Sequence, residues 1–361
     1  MTRTTQAGLG LCVLALSIGS AFAAPSAGSA VSVVLTPSYE KSLQEVGSAV
    51  RFTMRNDTDK TVRLLKWQTP FYGLNHDIFQ VSVGGQDVEY TGAWYKRGAA
   101  TQDDWMVLKA GESRSIDIDL SVAYPFQATG QYDMRYSAML NRYDDTLQSK
   151  AGEASELTSF TLTRWVDGSD QFLPMASFEE MSLGVKALNP TPTFESCSTT
   201  RQGQINTAIG SARTYAINAD NYFGAKTWST VTARYTTWFG SASSTRFSTG
   251  KSNFDKIENA LANTRITFNC GCTDNYYAYV YPTQPYRVYL CNAFWSAPNT
   301  GTDSRAGTII HELSHFDVLA NTDDLAYGQT AAKKLATTNP AKSVRNADTH
   351  EYFSENTPSQ N

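Results

Sequence analysis

His311-Glu312-Leu313-Ser314-His315 decides how the second half of this 361-residue chain is read. On a helix, positions i and i+4 share a face, so both imidazoles can reach one metal ion. Glu312 stands beside the first of them, off the ligand pair yet close to any water that the metal holds. Neutral nitrogen ligands, an open coordination position and a nearby general base are what a hydrolytic zinc site requires. The chain holds only four histidines, and this motif uses two of them. The competing reading is a helix whose histidines are merely surface or core residues. An apolar helical period over residues 308–319 predicts the helix itself.

A hydrolytic zinc site needs a third protein ligand. A metzincin carries Gly and His three and six residues after the second histidine, where this chain has Val318 and Asn321, so that class is excluded. A glutamate zincin draws a Glu from a later helix, and Glu351 and Glu355 keep that option open. Asp324 is nearer in sequence. Asn321 and Thr322 interrupt the helical pattern, so Thr322 reads as an N-cap with Asp323 and Asp324 in the first turn of a new helix. A turn there folds Asp324 back toward the histidines, and Asp323 is left as a capping residue. Tyr327, three residues on, would share a helical face with Asp324.

The His-Glu-x-x-His helix is followed by an element of the form Gly-Thr-x-Asp-x-x-Tyr-Gly, with Asn321 in place of the first Gly. Asn tolerates a left-handed backbone, so the departure is mild. This pattern resembles the deuterolysin, or aspzincin, family of zinc metalloendopeptidases. The resemblance implies that His311, His315 and Asp324 hold one Zn²⁺ per catalytic domain. It implies that Glu312 and zinc activate the water, and that Tyr327 and zinc hold the oxyanion. Stretches 234–240, 278–282, 288–291, 293–295, 301–304 and 346–348 look like the lysine-specific branch, the peptidyl-Lys metalloendopeptidases. The likeness runs over residues 193–361.

A buried ammonium needs carboxylate partners, and a narrow acidic pocket rejects neutral side chains. Asp348 and Glu351 are three apart, so one helical turn sets them side by side. Spacing alone allows a solvated acidic helix start. The resemblance assigns both to substrate binding, with lysine on the C-terminal side of the scissile bond, in protein or peptide substrates. Arginine, larger and planar, need not fit such a pocket. His350 reads as a surface histidine and His76 as structural. The alternatives are a broader-specificity aspzincin, a glutamate zincin using Glu351, or a non-catalytic secreted binding protein with a β-sandwich adhesin module.

The N-terminus reads as a signal peptide, residues 1–23. Arg3 precedes an apolar run, and Ala21-Phe22-Ala23 supplies a small-x-small cleavage site. The run is too short for a confident membrane span, so a secreted protein is expected, with no membrane partner. Cys197, Cys270, Cys272 and Cys291 form an even set for an oxidising compartment. The resemblance implies the pairs Cys197–Cys270 and Cys272–Cys291. A net charge of −4 gives no reason to expect nucleic-acid binding.

The length predicts two domains. In the first half, β-rich runs fall at 31–35, 49–55, 61–67, 79–83, 88–90, 105–108, 115–122, 131–139 and 157–165, with Gly84-Gly85 as a hairpin turn. They read as an all-β antiparallel sandwich, immunoglobulin-like in outline. In the second half, helices are expected at 202–223, 254–263 and 308–319, with a β-rich piece at 267–290. That is an α+β domain, which the motif makes a zincin-type metallopeptidase. Residues 186–192 look like a linker. The organisation expected is a zymogen: a β-sandwich propeptide (24–185) acting as intramolecular inhibitor, then a catalytic domain (193–361). Self-processing would fall at Val185–Lys186. A retained surface-binding module is the alternative role for the sandwich.

Overall fold

The computed structural model describes residues 31–38, 40, 47–138, 142–143, 158–168 and 190–360. The expected signal peptide, the Val185–Lys186 bond and linker residues 186–189 lie outside the described residues.

The N-terminal half is β-rich. Its strands are β1 (Val31–Pro37), β2 (Ala49–Asn56), β3 (Val62–Leu65), β4 (Phe79–Val83), β5 (Gln86–Asp87), β6 (Trp94–Lys96), β7 (Trp105–Leu108), β8 (Ser113–Asp119), β9 (Gly130–Tyr136), β10 (Arg142–Tyr143), β11 (Thr158–Ser159) and β12 (Leu162–Val166). Alternation sets the inward faces: Val31, Val33 and Leu35 on β1 and Phe52 and Met54 on β2 are buried, joining Tyr132, Met134 and Tyr136 in one core. Gly84 and Gly85 both take positive φ, 59° and 78°, as a type I′ turn between β4 and β5 demands. The ladders run β11-β1-β2-β8, β10-β3-β7 and β12-β9-β4-β5. Among the described residues these are three small sheets, with β1 and β11 parallel, so the pairing there does not resolve into the expected two antiparallel sheets.

The C-terminal half is α+β. It comprises β13 (Thr193–Glu195), α1 (Thr199–Ala225), α2 (Ala233–Phe239), α3 (Ser244–Asn263), β14 (Thr267–Asn269), β15 (Ala278–Val280), β16 (Arg287–Leu290), α4 (Asn292–Ser296), α5 (Arg305–His315), α6 (Gly328–Thr338), α7 (Pro340–Ser343) and α8 (Ala347–Glu355). Ser198, Ser243 and Ser304 each accept a backbone N–H as N-caps of α1, α3 and α5. The Ser243 cap starts α3 well before residue 254, and Phe247 and Gly250 extend its buried face. Disulfides Cys197–Cys270 and Cys272–Cys291 join the start of α1 to the end of β14, and the following loop to the end of β16.

The sheet order β13-β14-β16-β15-β6 contains a strand from the other half of the chain. β6 pairs antiparallel with β15, matching Ala278 with Lys96, Tyr279 with Tyr95 and Val280 with Trp94. Tyr277 N–H also donates to the Lys96 carbonyl (3.1 Å). The N-terminal half therefore supplies the edge strand of the C-terminal sheet.

Helix α5 packs on α8 at Gly307. A Cβ there would meet Glu355 Oε1 at 2.2 Å and Glu351 Cγ at 3.0 Å, so the close approach of the two helices depends on this glycine. Among the described residues, no helix is long and apolar enough to cross a membrane.

Candidate metal centre and active site

Helix α5 carries His311, Glu312 and His315, all fully buried. It stops at His315 rather than running on to 319. Asn321 turns the chain with φ 46°, and Thr322 N–H returns to the Ser314 carbonyl (3.0 Å). The Asn for Gly exchange is thus accommodated in the left-handed region.

The helix expected to begin at Thr322 does not form. Thr322 Oγ1 is held by Ser314 Oγ (2.6 Å), and its carbonyl accepts from His315 Nδ1 (2.7 Å). Asp323 N–H donates to Arg345 O (2.7 Å), and Ala347 N–H donates to Asp323 O (3.0 Å). The Asn346 side-chain oxygen takes the N–H groups of Leu325 and Ala326 (2.8 and 2.9 Å). With its polar groups committed to residues 345–347, this segment stays extended and α6 begins only at Gly328. Tyr327 is the N-cap residue of α6 and shares no helical face with Asp324. Asp323 bonds Arg345 (2.9 Å) and caps no helix.

Three ligand atoms nonetheless converge. His311 Nε2 and His315 Nε2 are 3.2 Å apart, and Asp324 Oδ1 lies 3.3 Å from the first and 3.5 Å from the second. Donors bound tetrahedrally to one zinc at about 2.0–2.1 Å stand about 3.3 Å apart, so the triangle fits that ion. Both Asp324 oxygens and both Glu312 oxygens are buried with no hydrogen-bond partner among the described residues. A buried carboxylate without a hydrogen bond, as for Glu312, needs a cation or a water network to be tolerated, and Asp324 meets the two imidazoles. His315 Nδ1–H donates to the Thr322 carbonyl, which leaves Nε2 free to ligate. Burial lowers the His315 ring to about 4, the neutral form that a metal takes. Burial also lowers His311, but Asp324, Asp348 and Glu351 outweigh it and raise that ring well above its usual value. A cation at Nε2 competes with that proton.

Burial pushes Glu312 up to about 8. A cation beside it favours the carboxylate again and restores its use as a base. The Tyr327 hydroxyl is sealed from solvent and finds no partner among the described residues. Burial, and then Asp324, push its pKa well above the ordinary phenol value, so it remains a donor.

Asp348 and Glu351 share a face of α8, fully buried, and pack on the other edge of the His311 ring. His311 Nδ1 is 3.0 Å from Asp348 Oδ1 and 3.3 Å from Glu351 Oε2. Glu351 therefore sits away from His315 and does not approach the Nε2 triangle. Between the acids lies a group absent from the sequence reading: Lys96 of β6. Its buried ammonium is 2.6 Å from Glu351 Oε2, 3.6 Å from Asp303 Oδ1 and 4.0 Å from Asp348 Oδ1. Burial lowers the Lys96 pKa, but Glu351, Asp348 and Asp303 outweigh it, so the ammonium stays charged.

The rest of the cover also comes from the N-terminal half. Trp94 stacks on the His315 ring (5.7 Å, 9°), and Trp67 and His76 flank Tyr327 (6.0 and 6.3 Å). His76 lies at the active site itself, between Tyr327 and Trp94 (5.6 Å). His350 is not a surface residue. It is fully buried between Phe239 and Phe254, takes the Asn253 amide on Nε2 (3.0 Å) and donates from Nδ1 to the Asn346 carbonyl (3.0 Å).

Residues 224–355 match the family described as "Lysine-specific metallo-endopeptidase". A peptidyl-Lys metalloendopeptidase of Armillaria mellea is 34% identical over 351 residues, covering 92% of this chain and 95% of that protein. The chain belongs to the aspzincin family. This aspzincin is also 43% identical over 352 residues to an extracellular protease of Aeromonas hydrophila, covering 96% of the chain and 98% of that protein. A peptidyl-Lys metalloendopeptidase of Pleurotus ostreatus matches at 50% over 167 residues, which is 98% of that protein and 46% of this chain. The solved zinc peptidase of Grifola frondosa is 48% identical and matches with a TM-score of 0.44, covering 46% of this chain and 100% of its own. The protein is a zinc metalloendopeptidase.

Proposed function

We propose that this aspzincin is a secreted zymogen that hydrolyses peptide bonds on the N-terminal side of lysine. The observation that carries the reading is the Lys96 ammonium, buried against Glu351 beside the metal ligand His311. The chain's own lysine, seated against these acids, supports an ammonium as what the pocket accepts. The names of the Armillaria and Pleurotus relatives support the same specificity.

The roles proposed follow the geometry. His311, His315 and Asp324 hold the zinc. When bound, zinc acts as a Lewis acid that lowers the pKa of its water and polarises the scissile carbonyl. Glu312 takes the proton of the attacking water and passes it to the leaving amine. The unpartnered Tyr327 hydroxyl donates to the developing oxyanion. No covalent enzyme intermediate is required.

Residues 1–23 act as the signal peptide, 24–185 as an inhibitory propeptide, 186–192 as a linker and 193–361 as the catalytic domain. The Pleurotus relative, whose length matches under half of this chain, supports a catalytic part that works alone. Maturation by its own specificity would cut Val185–Lys186, so sequencing the N-terminus of the mature form should give Lys186. A first residue far from the linker would refute self-processing there. Specificity is tested by digesting an unfolded protein and sequencing the new N-termini. Lysine is expected at their first position, and termini without lysine enrichment would end the assignment. Glu312→Gln should abolish cleavage while leaving zinc bound.

A further inference from the structure

Lys96 occupies the acidic pocket, so the groups around its ammonium show how the pocket divides its work. Asp348 is the most distant carboxylate, at 4.0 Å, and its two oxygens have nearer partners. Oδ1 is 3.0 Å from His311 Nδ1, and Oδ2 accepts the Gly328 N–H (2.5 Å). A metal-ligating histidine is held by a carboxylate on its other nitrogen, and Asp348 has that placement. Glu351 touches the ammonium at 2.6 Å. The second-nearest charge, Asp303 at 3.6 Å, comes from the loop that enters the zinc helix.

Asp303 is built in place. Its backbone is left-handed (φ 51°) and follows Gly301 at φ 108°. Its Oδ1 accepts the Tyr352 hydroxyl (2.6 Å), a side chain of α8 next to Glu351. Across the ammonium, the Tyr277 ring lies 4.8 Å from Nζ, within cation–π reach. Asp303 is a third exposed and Glu351 fully buried, so one carboxylate stands at the mouth of the pocket and the other at its floor.

We propose that Asp303 is a specificity-determining residue. With Glu351 and the Tyr277 face it reads the substrate lysine, while Asp348 is chiefly a positioning residue for His311. This rests on the reading of the pocket as a lysine site. A carboxylate at the mouth pairs with an ammonium on a flexible stem and disfavours a neutral chain of equal length.

The test uses the full chain with Lys96→Ala to vacate the pocket. Two peptides are compared that differ only in lysine or norleucine after the scissile bond. Asp303→Asn suits the left-handed backbone and keeps an acceptor for Tyr352. It should cut the lysine-to-norleucine ratio of kcat/KM by about tenfold, the order that a charged partner supplies, with the larger loss falling on the lysine peptide. Asp348→Asn should instead slow both peptides alike and weaken zinc binding about 10- to 100-fold. An unchanged ratio in Asp303→Asn overturns the proposal. Equal cleavage of both peptides by the Lys96→Ala parent would instead sink the lysine pocket itself. A second readout needs no turnover: a double-mutant cycle of Lys96→Met and Asp303→Asn in the Glu312→Gln chain. Urea midpoints that shift non-additively support Asp303 as an ammonium partner, and additive shifts overturn it.

Discussion

Removing the Lys96 side chain should switch on the unprocessed protein. Its ammonium and the Glu351 carboxylate are both fully buried at 2.6 Å, with Asp348 also buried beside them. Lys96→Ala leaves those acids uncompensated only while the N-terminal half covers them. Once it lifts away, water solvates them. The penalty therefore falls on the closed state. Breaking a buried pair by deleting one partner costs about 3–5 kcal/mol. At about 1.4 kcal/mol per factor of ten, the open population rises by roughly 10²- to 10³-fold or more until it saturates. The assay is hydrolysis of a quenched fluorescent peptide with a single lysine, with mass spectrometry verifying that the chain is uncut during the measurement. Lys96→Met keeps the volume without the charge and should release the site as well. If both variants stay as inert as the parent chain while remaining folded, the ammonium does not hold the cover down and the reasoning fails.

Replacing Asp324 with Ala should remove bound zinc, measured by metal content after dialysis; retained zinc would point to a different third ligand. Tyr327→Phe should lower kcat by about 10²- to 10³-fold with KM little changed, as for an oxyanion donor. A wild-type kcat would leave Tyr327 as packing against Trp67 and His76. Gly307→Ala pushes a methyl into Glu355 and Glu351. Overpacking of this kind costs about 1–3 kcal/mol, so thermal unfolding should shift down by several degrees, together with weaker lysine binding. An unchanged melting curve would mean that the helices part freely.

The zinc helix and the acidic face of α8 were legible because each is written in one local period: His311 and His315 four apart, Asp348 and Glu351 three apart. The paired cysteines follow from the family pattern rather than from spacing. The sequence sets Asp324 and Tyr327 on one helical face, whereas the segment stays extended, with Asp324 Oδ1 3.3 Å from His311 Nε2 and Tyr327 at the start of α6. The competing hydrogen bonds come from Asn346 and Arg345, which nothing near residue 322 announces. His350 sits in a run of acids that looks solvated, whereas its partners Asn253 and Phe254 lie on α3. Lys96 left the faintest trace. Trp94-Tyr95-Lys96 is too short for a strand period, and its pairing partner is in the other half of the chain.

The β6–β15 ladder has a consequence for what can be digested. Were β6 removed with the N-terminal half, as proposed, the rim of β15 would present backbone groups that an extended incoming chain can pair with. A lysine within an intact helix or a tight turn cannot take that posture. The protease should thus pass over well-folded proteins and cut where the backbone is already slack, so that susceptibility reports local unfolding as much as lysine content.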